Sequence, residues 1–180
     1  MSIRMKLQIP IQRRTTIHLA TLPDGVNGIK ATLALMVKLA RASRMDYTIR
    51  NQALHLVQDL GQKHYIGEVR AIQEFVRDRI RYVRDINGVE TLATPVNTLK
   101  MAQGDCDDKA LLTAALLESI GHRTRFVAVG SSPGDYSHVL VETLVYMPGG
   151  VSRWIPVETT EPVPLGWYPP GMKSRLVYDV

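Results

Sequence analysis

An α+β fold is what this sequence predicts, and three observations predict it. Apolar residues recur with helical spacing through the first part of the chain. Strand-like alternation dominates after residue 122. Between the two lies one helix that is apolar almost all round and must be buried on most sides.

Residues 1–24 read as an N-terminal strand pair, because Met5, Leu7 and Ile9 alternate with Lys6 and Gln8, and Ile17 and Leu19 repeat the pattern before the Pro23-Asp24-Gly25 turn. A helix follows over 26–43, with Ile29, Leu33, Met36, Val37 and Ala40 on one face. A second is expected over 46–60, capped by Asp46 and stopped by Gly61. A third is expected over 67–84, where Val69, Ile72, Val76, Ile80 and Val83 keep helical spacing. Arg70, Arg77, Arg81 and Arg84 form another stripe there, read as a solvated face paired with Glu74 and Asp78. Residues 85–104 carry the turn signals Asn87-Gly88, Thr94-Pro95 and Gly104, and read as a long connection. It leads into the buried helix over 105–120, which Gly121 stops.

Strands are expected over 123–129, 136–147 and 151–157, the last two joined through Pro148-Gly149-Gly150. The final twenty residues contain Pro162, Pro164, Pro169 and Pro170 and read as an extended tail. The organisation expected is one domain over 1–180: N-terminal strands and helices over 1–66, a core over 67–160, and the proline-rich tail over 161–180.

Composition narrows the function classes. Hydrophobic residues are 45% and charged residues 22% of the chain, the balance of a soluble globular protein. No apolar run approaches the ~18 residues of a membrane span, and Met1 to Pro10 lacks the apolar stretch of a secretory signal. A soluble, cytoplasmic protein with no membrane partner is expected. The net charge of +5 is read as a mildly basic surface, since no nucleic-acid motif accompanies it. One cysteine permits neither an internal disulfide nor a multi-cysteine zinc site. Zinc-protease, P-loop and dinucleotide signatures are missing, so neither a metal nor a cofactor is expected. Gly130-Ser131-Ser132-Pro133-Gly134 fits the serine-hydrolase pattern formally, but a strand follows it where that motif needs a helix.

The chemistry gathers at Gly104-Asp105-Cys106-Asp107-Asp108-Lys109-Ala110. Asp105 is a natural N-cap, which puts Cys106 at the first helical position, with Asp108 three residues on as a near capping box. Unpaired N–H groups and the helix dipole favour a thiolate there. Asp107 and Asp108 act in the opposite sense. Inert core cysteines lie inside apolar runs, and this one is flanked by three aspartates. Of the five histidines, His18, His55, His64 and His122 read as surface or structural. His138 begins the strand after the Ser131–Asp135 loop, where it can face a helix N-terminus. Glu142 lies four residues further along that strand, about 13 Å away and too far to orient the imidazole. Glu158 ends the adjoining strand and is the acid expected to do so.

In order and spacing, Gly104-Asp105-Cys106 before a Leu/Ala helix, then Tyr136-Ser137-His138-Val139, then Trp154-Ile155-Pro156-Val157-Glu158-Thr159-Thr160 resembles the core of the transglutaminase-like superfamily. Ile80-Arg81-Tyr82 resembles the family's helix before that core. The small form with Pro164 to Trp167 in its tail is similar to stand-alone members encoded by bacteriophages and prophages. The resemblance implies a papain/transglutaminase-like α+β fold, its cysteine-bearing helix buried against an antiparallel sheet. It implies cysteine-dependent acyl transfer or hydrolysis of a peptide-like amide, with Cys106 as nucleophile, His138 as base and Glu158 as third member. An oxyanion hole would join the Cys106 N–H to an upstream donor, Gln103 or Asn97. The family pattern has Asp where this chain has Glu158. The alternative is a weak or inactive scaffold serving as a phage structural or protein-binding module. The implied partner is a peptide or protein substrate, or virion proteins, in a bacterial host cytoplasm or a phage particle.

Overall fold

The computed structural model describes residues 25–84, 91–147 and 149–180. The strand pair expected over 1–24, the Asn87-Gly88 turn and Pro148 lie outside the described residues. Helix α1 (Val26–Ser43) buries Leu33, Met36, Val37 and Ala40, the face its spacing predicts. Helix α2 (Tyr47–Val57) starts where the Asp46 carboxylate accepts the Thr48 N–H at 2.7 Å. It stops before Gly61 is reached. The next, α3 (Tyr65–Arg79), is capped by the His64 ring, which accepts the Gly67 N–H at 3.1 Å.

Two elements differ from expectation here. Helix α3 ends at Arg79 rather than 84, because Ile80 turns extended and Arg81–Tyr82 become strand β1. That strand pairs in parallel with β2 (Gln103–Gly104), Arg81 opposite Gln103 and Tyr82 opposite Gly104. The buried Lys109 makes this break possible: its Nζ donates to Ile80 O at 2.6 Å and Arg77 O at 3.4 Å, taking up carbonyls that the helix end leaves open. The arginine stripe is therefore split, and Arg77 pairs with Asp78 at 2.6 Å. The expected connection over 85–104 also holds helix α4 (Pro95–Met101), with Pro95 as its first helical residue and not part of a turn.

Helix α5 (Cys106–Ser119) is the centre of the molecule. All residues from Asp108 to Leu117 are buried. Helices α1 to α4 and one face of a four-stranded sheet surround it. The sheet is antiparallel, in the order β5 (Ser152–Val157), β4 (His138–Tyr146), β3 (Arg123–Gly130), β6 (Ser174–Asp179). Phe126, Ala128, Val139, Val141, Val145 and Val157 face α5.

Strand β6 departs from the sequence expectation, since 161–180 reads as a tail. It pairs with β3 along its whole length, Gly130 opposite Ser174 through Arg125 opposite Asp179. Because β5 and β6 lie on opposite edges, the proline-rich segment between them must cross the sheet. It crosses the face turned away from α5, where Tyr168 and Met172 pack on Val127, Val129 and Leu140. Proline suits such a strap, because it fixes an extended backbone and needs no ladder partner.

Candidate active site

Cys106 owes its place to two local features. The Asp105 carboxylate accepts the Asp107 and Asp108 N–H groups at 3.1 and 3.2 Å, so α5 begins at Cys106. Gly104 lets α5 come close: a Cβ there would lie 2.5 Å from the Asp108 Cβ. The Asp108 side chain accepts the Ala93 N–H at 2.8 Å, which ties the start of α5 to the chain entering α4.

The thiol is half-buried and donates to Asp107 Oδ1 at 3.3 Å. The N–H of Val139 also reaches its sulfur. Cys106 thus lies against the start of β4, next to the residue that follows His138. Burial, then the charges of Asp107 and Asp105, push the thiol pKa far above its ordinary value, and the Val139 N–H offsets this only in part. Burial is the largest of these influences, and it reinforces the aspartates against the thiolate.

His138 opens β4 and is about one-fifth exposed. Its Nε2 lies 2.7 Å from Glu158 Oε2. A carboxylate only accepts, so Nε2 carries the proton and Nδ1 is the basic nitrogen. Glu158 is 1% exposed, and its other oxygen accepts both the N–H and the hydroxyl of Thr160 at 2.6 Å each. Burial alone would raise the Glu158 pKa. The hydrogen bond and charge of His138, with the two Thr160 bonds, outweigh it and hold the carboxyl below the usual range.

Glu142 is engaged elsewhere. Arg125 Nε reaches it at 2.7 Å and Arg175 at 2.9 Å, and the Arg125 guanidinium stacks over Trp154 at 4.1 Å. The structure therefore joins His138 to Glu158 and not to Glu142. Among the oxyanion candidates, Gln103 has its side-chain oxygen held by Arg81 at 2.8 Å. Asn97 lies on α4.

Several contributors escape a reading of the sequence. Gln73, 1% exposed, donates to Glu158 O at 2.9 Å and so fixes the backbone of the acid. Its signal is a polar residue among the apolar positions Val69, Ile72 and Val76. Lys109, buried below the site, has its pKa lowered to about 8 by burial, against the pull of Glu158 and Asp78. Its signal is one cation inside an apolar helix. His122 makes a separate pair with Glu68 at 2.8 Å. Among the described residues there is no cluster of metal-binding side chains, and no helix is long and apolar enough to cross a membrane.

The sequence profile of the transglutaminase-like superfamily core matches residues 54–159, more than half of the chain and a span that holds Cys106, His138 and Glu158. The chain belongs to the transglutaminase-like superfamily. The α+β architecture, with a buried cysteine helix against an antiparallel sheet, is the fold expected of a member. Two solved structures share it. One is a "putative cysteine protease" from Cytophaga hutchinsonii, with 17% identity and a TM-score of 0.50 over 73% of this chain and 46% of that one. The other is a "putative protease" from Parabacteroides distasonis, with 17% identity and a TM-score of 0.52 over 82% of this chain and 36% of that one. At this identity both show the fold alone, and the chain spans less than half the length of either. No curated protein matches the chain.

Proposed function

We propose that this superfamily member is a cysteine-dependent hydrolase or acyltransferase of peptide-like amides, with Cys106 as nucleophile, His138 as base and Glu158 as the group that orients it. The observation that carries the reading is the 2.7 Å contact between His138 Nε2 and Glu158 Oε2, made beside a cysteine whose sulfur takes the Val139 N–H. Glu158 keeps the proton on Nε2 and supports the imidazolium, so Nδ1 is the atom to receive the thiol proton. The resting sulfur is a thiol. In this mechanism its proton passes to Nδ1 as the sulfur attacks the carbonyl carbon. The protonated imidazole then gives the proton to the leaving amine, and a thioester remains for water or an amine to resolve. A glutamate in the family's aspartate position can act here because Thr160 and Gln73 fix both its carboxylate and its backbone.

The test is acylation by p-nitrophenyl acetate. The wild type should release a burst of about one equivalent of p-nitrophenolate per chain. Cys106→Ser and His138→Ala should lack the burst. A wild type without a burst sinks the reading.

One observation favours a second reading. A thiol bonded to Asp107 is held in its unreactive form, as suits a weak or inactive scaffold that binds proteins, with phage particle proteins as the partners the sequence resemblance suggests. The pH dependence of iodoacetamide alkylation bears on it. Removing the Asp107 charge favours the thiolate, so the alkylation midpoint should lie above about 8.5 in the wild type and move down in Asp107→Asn. Identical midpoints would show that Asp107 does not restrain the sulfur.

A further inference from the structure

Gln73, Arg77 and Ile80 stand at helical spacing along one face of α3 and its C-terminal end. The Gln73 amide donates to Glu158 O at 2.9 Å, and the Arg77 guanidinium donates to Val163 O at 3.2 Å, just past the acid. The carbonyl oxygens of Ile80 and Arg77 accept from Lys109 Nζ at 2.6 and 3.4 Å. The segment that carries Glu158 and the head of Lys109 are thus gathered against the same face of one helix. Lys109 follows Cys106 by one turn of α5 and is 1% exposed.

Closing the end of α3 takes hydrogen-bond donors and not a charge. A cation buried in an apolar helix is costly unless a carboxylate answers it. Two carboxylates act on Lys109 from neighbouring elements, Glu158 beyond β5 and Asp78 on α3. The Asp78 side chain is 53% exposed and tied to Arg77 at 2.6 Å, with Arg79 also acting on it, so solvent and the arginines take up its charge. On α5 itself, the Asp105, Asp107 and Asp108 carboxylates are turned to first-turn N–H groups, the thiol and the Ala93 N–H. Glu158 remains, 1% exposed and bonded to His138 of β4. The charge of His138 supports it only while the imidazole is protonated. In the base form the ring is neutral, and Glu158 is left with the Thr160 bonds and the cation of Lys109. Burial lowers the Lys109 pKa to about 8, which leaves it charged at neutral pH.

We propose that Lys109 is a positioning residue for the base: its buried ammonium holds the Glu158 carboxylate ionised while His138 is neutral, and so keeps His138 in the form that takes the thiol proton; this rests on the acyl-transfer reading above. Lys109 touches no substrate and gives up no proton in the reaction. It acts through Glu158, and its bonds to the end of α3 fix where its charge stands. Without that charge, the buried carboxylate is answered only by protonating His138. The imidazolium then persists to higher pH, because removing a nearby positive charge favours the charged ring. A resting imidazolium has no lone pair for the thiol proton.

The experiment reads the protonation of His138 with and without turnover. Lys109→Met keeps the length of the side chain and removes its charge, and Lys109→Gln also retains N–H donors for the carbonyls of α3. In each variant the acid limb of the p-nitrophenyl acetate burst rate should move up by about one pH unit. The His138 imidazole titration, followed by NMR, should move with it. A purely structural role would lower stability or the burst amplitude and leave both midpoints in place, so midpoints within about 0.3 unit of the wild type overturn the proposal. A downward shift overturns it as well. If neither variant folds, the wild-type His138 resonances decide. They should show a second inflection near pH 8 as Lys109 loses its proton, and a single inflection overturns the proposal. A wild type without a burst sinks the acyl-transfer reading, and the NMR midpoints still decide whether Lys109 governs the protonation of His138.

Discussion

Replacing Glu158 by glutamine should lower the p-nitrophenyl acetate burst rate by about 10²–10⁴-fold, the range for loss of the orienting acid in a catalytic triad, while Glu142→Gln should stay within about threefold of the wild type. Each swap keeps shape and removes one charge from a buried carboxylate, one within β4 and one just past the end of β5, so the comparison isolates position. Glu158 touches the imidazole at 2.7 Å. Glu142 is taken up by Arg125 and Arg175. The amide in the Glu158→Gln variant can present either its oxygen or its NH₂ group to His138 Nε2. The second choice pulls the lone pair to Nε2 and the proton to Nδ1, the wrong nitrogen for a base. Thr160 still finds an oxygen to donate to when the NH₂ group faces the imidazole, so the variant should fold. Equal losses at the two positions would mean that general negative potential supports His138. A larger loss at Glu142 would mean that the wrong acid has been assigned.

Gly130→Ala should be the most damaging small substitution in the sheet, costing about 3 kcal/mol or more in urea unfolding. A Cβ on Gly130 would sit 1.9 Å from the carbonyl oxygen of Asp135 and 2.5 Å from its carbon. Both are backbone atoms, and no rotamer change can relieve the clash. The 131–137 loop cannot simply shift, because the Ser174 hydroxyl accepts the Gly134 N–H at 2.8 Å and donates to Ser132 O at 2.7 Å. Lys173 also donates to Gly130 O at 2.8 Å. The loop runs directly into His138, so any variant that folds should also show a reduced burst. Gly149→Ala is the control: its φ of +87° brings strain, but the space around it is open. It should cost only about 1–2 kcal/mol. If the two variants proved equally stable, the close approach at Gly130 would not constrain the fold.

The candidate nucleophile and base are legible in the sequence because their signals are local. Asp105 caps, Cys106 follows, and a helix apolar on all sides can only be a central one. His138 stands where a loop becomes a strand, and a simple count of strand rise excludes Glu142 as its partner. The choice of Glu158 rests on the expectation that a neighbouring strand brings an acid close, and β4 and β5 do pair, Val141 opposite Val157. Why a threonine follows the acid by two residues is not legible there. The reason lies in its two bonds to Glu158 Oε1.

What escapes the sequence is what depends on partners far along the chain. Helix α3 stops early because Lys109, on a different helix, supplies the donors for its last carbonyls. Strand β6 is hidden in a proline-rich segment because its pairing partner, β3, lies three strands earlier in the chain, and alternation alone is weak over six residues. The state of the Cys106 sulfur is undecidable from local signals. The helix dipole favours the thiolate and the aspartates favour the thiol, and both are visible. Burial tips the balance toward the thiol, and burial exists only once the chain is packed. The sequence by itself determined which residue types stand at the starts of α5 and β4, since caps, turns and periodicity act over a few residues. The tertiary structure alone decided how Glu158 is fixed by Thr160 and Gln73 and how the thiol is held, because hydrogen bonds and desolvation depend on distances that packing sets.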